Sequence, residues 1–186
     1  MILALSTSSP LVSVALFDAA GTLLGAAEEE APRAASGTTV RLAQALLGDA
    51  GLAGLTGLVV DVGPGSFTGV KVGLTLGKAW GYALRIGVAG VSAFDLVASS
   101  GPVALPSKRG EFYFRDAGGL VSIINGLPPE GSQGYGFPGG ESRPSAARAV
   151  LEGLTFGNPL ALTGLYVSEP SVSQAKRAHI MGETFA

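Results

Sequence analysis

The chain has no cysteine, one histidine (His179) and one tryptophan (Trp80). Without cysteine there is neither a disulfide framework nor a thiolate metal site. A single histidine assembles neither a two-histidine metal site nor a His-based triad. Charge is also scarce. Only 14% of the 186 residues are charged, against about 25% in typical domains, so some apolar surface is expected to be covered by a partner. The net charge is -2, which leaves no electrostatic footprint for independent binding of nucleic acid. No run approaches the roughly 20 apolar residues of a membrane span. The apolar start, MILALSTSSPLVSVALFDAAG, has no Lys or Arg ahead of it and is broken by Ser-Thr-Ser-Ser-Pro. It reads as two buried strands, not as a signal peptide, and suits a cytoplasmic protein without membrane contact.

What is present is an α/β pattern. Ile2 to Leu5, Val12 to Phe17 and Thr22 to Ala27 read as three strands joined by turns, followed by a charged break, EEEAPR. Glu28, Glu29 and Glu30 lie on alternating faces and read as a solvated edge. Val40, Leu42, Ala43, Leu46 and Leu47 give a helix from Thr39 to Ala50. Leu58 to Val62 is a short strand, a helix begins near Phe67, Ile86 to Val91 is another strand, and Ser92 caps a helix through Ser99. A meander feeding βα units gives a mixed sheet with helices packed on it. The texture changes near residue 100, so residues 1–100 are read as one lobe and 101–186 as a smaller one. The second lobe opens with hairpin strands, with Phe112 and Phe114 on one face. Residues 125–143 read as an irregular connection, Pro144 to Leu154 as a short helix, and Ser171 with Gln174 as a capping box for a last helix.

The most distinctive segment is GPGSFTGVKVG, from Gly63. It misses the dinucleotide fingerprint because Gly69 comes one residue late, and it misses the Walker loop because Val70 and Val72 flank Lys71. It is not a nucleophile elbow, since Ser66 directly follows Gly65. Two readings stay open. Gly63-Pro64-Gly65 can be a tight turn with Ser66 or Thr68 capping the helix, or Gly63, Gly65, Ser66 and Thr68 can receive an anion at the helix N-terminus. Asp61, at the strand end, reads as a loop-capping group. Ser6, which ends the first strand, is neutral and cannot hold magnesium as a carboxylate would.

The same segment closely resembles the signature of the TsaB (YeaZ) family. ILALSTS and VSVALFD are similar to the family's opening strands, and GVSAFDLVA to its next helix. LPSKRGEFYFR resembles its second-lobe hairpin, and PLALTGLYVSEPS its C-terminal motif. The resemblance implies an actin-like ATPase (ribonuclease-H-like) fold with two lobes, the second one reduced. It also implies a non-catalytic subunit that binds TsaD and recruits TsaE in threonylcarbamoyladenosine modification of tRNA beside the anticodon. Members form homodimers when alone and meet tRNA only through the complex. No cofactor is implied for the chain by itself, though ATP or ADP at the interface with TsaD is compatible with the resemblance. Older labels of glycoprotease or peptidase M22 have no chemical support in this composition. The chain departs from the family at Ser6, where Asp is frequent, and at the SGTT of Ser36 to Thr39, where a histidine pair is frequent. Both departures weigh against the alternative function, a stand-alone ATPase or phosphotransferase.

Gly69, Gly73, Gly77 and Gly81 recur every fourth residue and form one stripe on the helix. Each interior glycine costs about 0.8 to 1 kcal/mol relative to alanine, so the stripe needs a reason. The expectation is a groove for a second helix, with Gly69, Val70, Gly73, Gly77, Trp80 and Gly81 forming the interface to TsaD and to a second copy. On that reading Gly73→Leu or Gly77→Leu leaves a folded monomer.

Overall fold

A computed structural model of the chain describes residues 1–165 and 167. Strands β1 (Ile2–Ser6), β2 (Leu11–Phe17) and β3 (Leu23–Glu30) form an antiparallel meander, and β4 (Gly57–Asp61) and β5 (Gly87–Val91) add in parallel beside β1. The order β3-β2-β1-β4-β5 is the ribonuclease-H-like arrangement that the resemblance implied. Helices α1 (Ala35–Leu47) and α2 (Phe67–Leu84) cover one face. A second sheet, ordered β8-β7-β6-β9, is built from β6 (Val103–Pro106), β7 (Glu111–Arg115), β8 (Val121–Asn125) and β9 (Gln133–Gly134).

Period-two alternation sorts the first sheet's side chains. Leu3, Leu5, Val12, Val14, Leu58 and Val60 point to the helices and meet Leu42, Leu47, Val70 and Leu74. On the opposite face, Ala4, Ala15, Phe17, Val59 and Val91 meet Leu96, Ala146 and Ala149. Residue 100 falls between β5 of the first sheet and β6 of the second. From Ser145 the chain returns to the first sheet: the Ser145 hydroxyl donates to Glu28 Oε1 at 2.5 Å, and the Ala146 N–H donates to Ser13 Oγ at 2.9 Å.

Four local expectations need correction. Strand β3 runs on through Glu28, Glu29 and Glu30, because each acid has a partner outside its strand: Ser13 and Ser145, Arg41, and Arg143 respectively. Helix α1 starts at Ala35, so the SGTT segment is helical, with Thr38 and Thr39 buried. After Ser92 the chain forms only turns, in which Leu96 N–H and Ala98 N–H donate to the carbonyls of Ser92 and Phe94. The stretch 144–154 holds one short 3-10 turn, Ala146–Arg148, with Ala146 and Ala149 buried under the sheet and Ala147, Leu151 and Leu154 packed beside them. The expected last helix with Ser171 and Gln174, and His179 itself, lie outside the described residues. No helix among the described residues is long and apolar enough to cross a membrane.

Candidate functional site

Three segments converge at the carboxyl ends of β1 and β4, where open α/β sheets place ligands. They are the turn from Ser6 to Pro10, the loop after Asp61, and the start of α2. Asp61 is their hub. Its Oδ2 accepts from Ser6 Oγ at 2.7 Å and Ser8 Oγ at 2.5 Å, and its Oδ1 accepts from the Gly63 N–H at 2.8 Å. The side chain is 1% exposed. Burial pushes its pKa above the ordinary carboxylate value, and it outweighs the hydroxyl and N–H donors that pull the other way. The same carboxylate, after burial itself, raises the Tyr135 phenol. Sequence reasoning placed Asp61 as a loop cap but missed Ser8 and Tyr135. The nearest signal was position: Ser6 ends β1 and Ser8 follows two residues later in the turn.

The glycine loop is filled by the chain's own turn. Ser66 caps α2 by accepting from the Gly69 N–H at 3.3 Å, and the Val70 N–H donates to the Ser66 carbonyl at 2.8 Å. The Ser66 N–H donates to the Ser8 carbonyl at 2.7 Å, and Thr7 Oγ1 donates to the Gly69 carbonyl at 2.8 Å. A Cβ on Gly65 would strike the Ser8 carbonyl oxygen, and one on Gly69 would strike that of Thr7. Gly63 turns the chain with φ +91°, a value side chains rarely adopt. Close approach of backbone is thus spent on carbonyl oxygens, which repel an anion. Of the two readings of the loop, the geometry supports the turn.

A small cavity of about 180 Å³ lies beside this turn, lined by Thr7, Ser9, Arg33, Ser36, Ser66 and Thr68 among others. Ligand pockets are usually about 300–1,000 Å³. The lining has hydroxyls and one guanidinium but no carboxylate, and Asp61 is shut behind it. These residues do not fit a magnesium nucleotide held by this chain alone. Among the described residues no group of three or more His, Cys, Asp or Glu is placed to hold a metal ion.

The stripe of α2 faces inward, which corrects the expected interface. Gly69, Gly73, Gly77 and Gly81 are buried, as is Val70. A Cβ on Gly73 would come within 2.7 Å of Thr7 Oγ1, one on Gly77 within 2.5 Å of Val60 Cγ2, and one on Gly81 within 2.5 Å of Val88 Cγ2. The groove is therefore occupied by Thr7 after β1, by β4 and β5 and, at Gly81, by Pro159. Trp80 packs on the core and lines a 380 Å³ apolar hollow with Val40, Leu47 and Leu52. The outer face of α2 instead carries Phe67, Thr68, Lys71, Thr75, Ala79 and Tyr82. Lys71 Nζ stands 4.0 Å from the Phe67 ring centroid, and Tyr82 is 69% exposed.

Comparison with known proteins agrees with this architecture. The model of a family described as TsaD, tRNA N6-adenosine threonylcarbamoyltransferase, matches residues 23–111. The tRNA threonylcarbamoyladenosine biosynthesis protein TsaB of Bacillus subtilis is 36% identical over 81 residues, 39% of this chain and 33% of that protein. An uncharacterized protein of Mycobacterium leprae is 32% identical over 128 residues, 64% of this chain and 35% of the relative. The match thus spans about a third of the length of these two relatives. An uncharacterized protein of Mycobacterium bovis is 31% identical over 150 residues, covering 68% of this chain and 71% of that protein. A crystal structure from Pseudomonas aeruginosa, described as similar to peptidase YEAZ, superposes with TM-score 0.72 at 21% identity, over 90% of this chain and 99% of that one. YeaZ from the same organism gives TM-score 0.65 at 21% identity, over 79% and 88%. Signature loop, sheet order and relatives converge on one assignment: the chain belongs to the TsaB/YeaZ family.

Proposed function

We propose that this chain is a non-catalytic subunit in threonylcarbamoyladenosine modification of tRNA, a scaffold that binds TsaD and, through it, TsaE. The observation that supports this best is the closed state of Asp61. The acid at the carboxyl ends of β1 and β4 is buried, held by three donors of its own chain, and closed off from a substrate. A stand-alone ATPase or phosphotransferase needs an accessible carboxylate there to hold magnesium. ATP or ADP, where bound, belongs to a site completed by TsaD rather than to the 180 Å³ cavity alone. tRNA is reached through the complex, in keeping with a net charge of -2.

TsaD is assigned to the outer face of α2. That face combines an exposed aromatic at each end, Phe67 and Tyr82, with the small residues Thr75 and Ala79 between them. Aromatic anchors around small residues allow a partner helix to lie close. Replacing Tyr82 and Lys71 together by glutamate should weaken TsaD binding at least about tenfold, the scale of losing one buried anchor, with circular dichroism unchanged. Isothermal titration against TsaD measures it. Unaltered affinity would place the contact on another surface.

A further inference from the structure

A cavity of about 720 Å³ lies at the opposite end of the first sheet from Asp61, where α2 ends and β5 begins. Its size falls within the about 300–1,000 Å³ usual for ligand pockets. The end of α2 supplies Tyr82 and Arg85, Ile86 follows, and the returning segment supplies Phe156, Asn158 and Pro159. Close backbone approaches hold that segment in place. A Cβ on Gly57 would come within 2.9 Å of Phe156 Cε1, one on Gly87 within 2.8 Å of Phe156 Cβ, and one on Gly81 within 2.8 Å of Pro159 Cγ. The Gly157 N–H and carbonyl both bond to Val88, and Asn158 Oδ1 accepts from the Leu160 N–H at 2.9 Å. The walls are therefore set by the fold and need no ligand to form them.

What the lining side chains offer is donors. Arg85 contributes a guanidinium, Tyr82 a phenol, and Asn158, whose oxygen is taken, an amide NH2. No carboxylate lines the cavity, and among the described residues Arg85 has no carboxylate partner. Its backbone is also unusual. Arg85 caps α2 in the left-handed region, with φ 57° and ψ 40°, and is the only non-glycine with positive φ among the described residues. Glycine or asparagine usually takes this place, because a Cβ there crowds the following carbonyl oxygen. The guanidinium is thus held where the backbone favours glycine. The carbonyls that end α2 attract a cation, but a basic residue in the last turn would serve them without the strained backbone, and the last turn holds none.

We propose that this cavity binds a small aromatic anion, its carboxylate or phosphate on the Arg85 guanidinium and its flat ring against Tyr82 and Phe156. A guanidinium fork matches two oxygens of such a group. The two aromatic side chains, both exposed, take the ring together with Ile86 and Pro159. The negative end of the α2 dipole weakens the hold on an anion, so the affinity is modest. The length of β4 separates this site from Asp61 and the cavity beside it. The proposal stands independently of the functional reading above. Tyr82 also belongs to the outer face of α2, so Arg85 is the residue to vary.

An NMR titration of the whole chain with phenyl phosphate or benzoate should give saturable shifts with a Kd of about 1 mM or tighter, the scale for ligands of this size. Inorganic phosphate and phenol each carry half of the chemistry and should bind at least about tenfold more weakly. Arg85→Gly should weaken binding of the aromatic anion at least about tenfold. Its melting temperature should stay near the parent's, because glycine suits the left-handed backbone. Asn158→Asp keeps the oxygen that accepts from Leu160 and adds a negative charge to the lining, so it should weaken binding likewise. Three results would each overturn the proposal: no saturable binding of either aromatic anion below about 10 mM, equal binding by Arg85→Gly, or phosphate or phenol binding as well as the combined probe.

Discussion

A Gly69→Ala variant should fail to reach the native fold, or reach it with a loss of at least about 3 kcal/mol, because one added methyl meets backbone rather than a movable side chain. The new Cβ would overlap the Thr7 carbonyl oxygen, in a turn fixed by Thr7 Oγ1 to the Gly69 carbonyl and by Ser66 N–H to the Ser8 carbonyl. Relief would require α2 to lift from β1. Gly77→Leu should be comparably damaging, since its Cβ already lies 2.5 Å from Val60 Cγ2 and Val60 is fully buried. Ala79→Leu, on the exposed face of the same helix, should leave stability nearly unchanged. Urea melts of the three variants measure this order. A stable, folded Gly77→Leu chain would restore the view that the stripe faces outward. The four glycines thus cost helix propensity but allow α2 to lie directly on the sheet, where Val70 and Leu74 bury beside them.

Asp61 should separate its charge from its hydrogen bonds. Asp61→Ala orphans the hydroxyls of Ser6 and Ser8 and the Gly63 N–H. At about 1–3 kcal/mol for each buried orphan, three of them cost about 3 kcal/mol or more, less whatever the two hydroxyls recover by rotating. Asp61→Asn keeps an acceptor for Gly63 and removes a buried charge, so it should stay within about 1 kcal/mol of the parent at neutral pH. The pH dependence follows from the raised pKa. The folded state holds the Asp61 proton more tightly than the unfolded chain, whose carboxyl titrates near the ordinary value of 3.8. This group's stabilising contribution is therefore complete below that value and is lost as pH rises through the folded pKa. Above it, the buried carboxylate costs stability. The difference in unfolding free energy between parent and Asp61→Asn should shrink or reverse in favour of Asn as pH rises from 4 to 7. A parent advantage that grows over this range would mean a favourable charge interaction at Asp61.

The first sheet was legible because its strands are short, apolar and bounded by turn residues, and because two buried faces need little else. The end of β3 was not: three glutamates argue against a strand locally, and only Ser13, Arg41, Arg143 and Ser145, brought in by the fold, reverse that. The segment 144–154 has helix-forming alanines, yet it forms one 3-10 turn between extended residues Ser145 and Ala149, tied to the first sheet through Ser13 and Glu28. The glycine period disclosed that something approaches α2 closely; it could not say whether that was another helix or the chain's own β4. The Asp61 hub was half visible, in Asp61 before the loop and in Ser6 and Ser8 two residues apart. Which strand end they would meet is a property of β1 lying beside β4.

The central claim is that this chain does no chemistry and is nonetheless required. It is tested most directly by reconstituting tRNA modification from TsaD, TsaE and the threonylcarbamoyl-adenylate synthase, with the chain added or omitted, and by assaying it alone with tRNA and ATP. The account predicts full modification only with the chain present and none from the chain alone. Full modification in its absence, or modified tRNA or steady ATP turnover from the isolated chain, would contradict it.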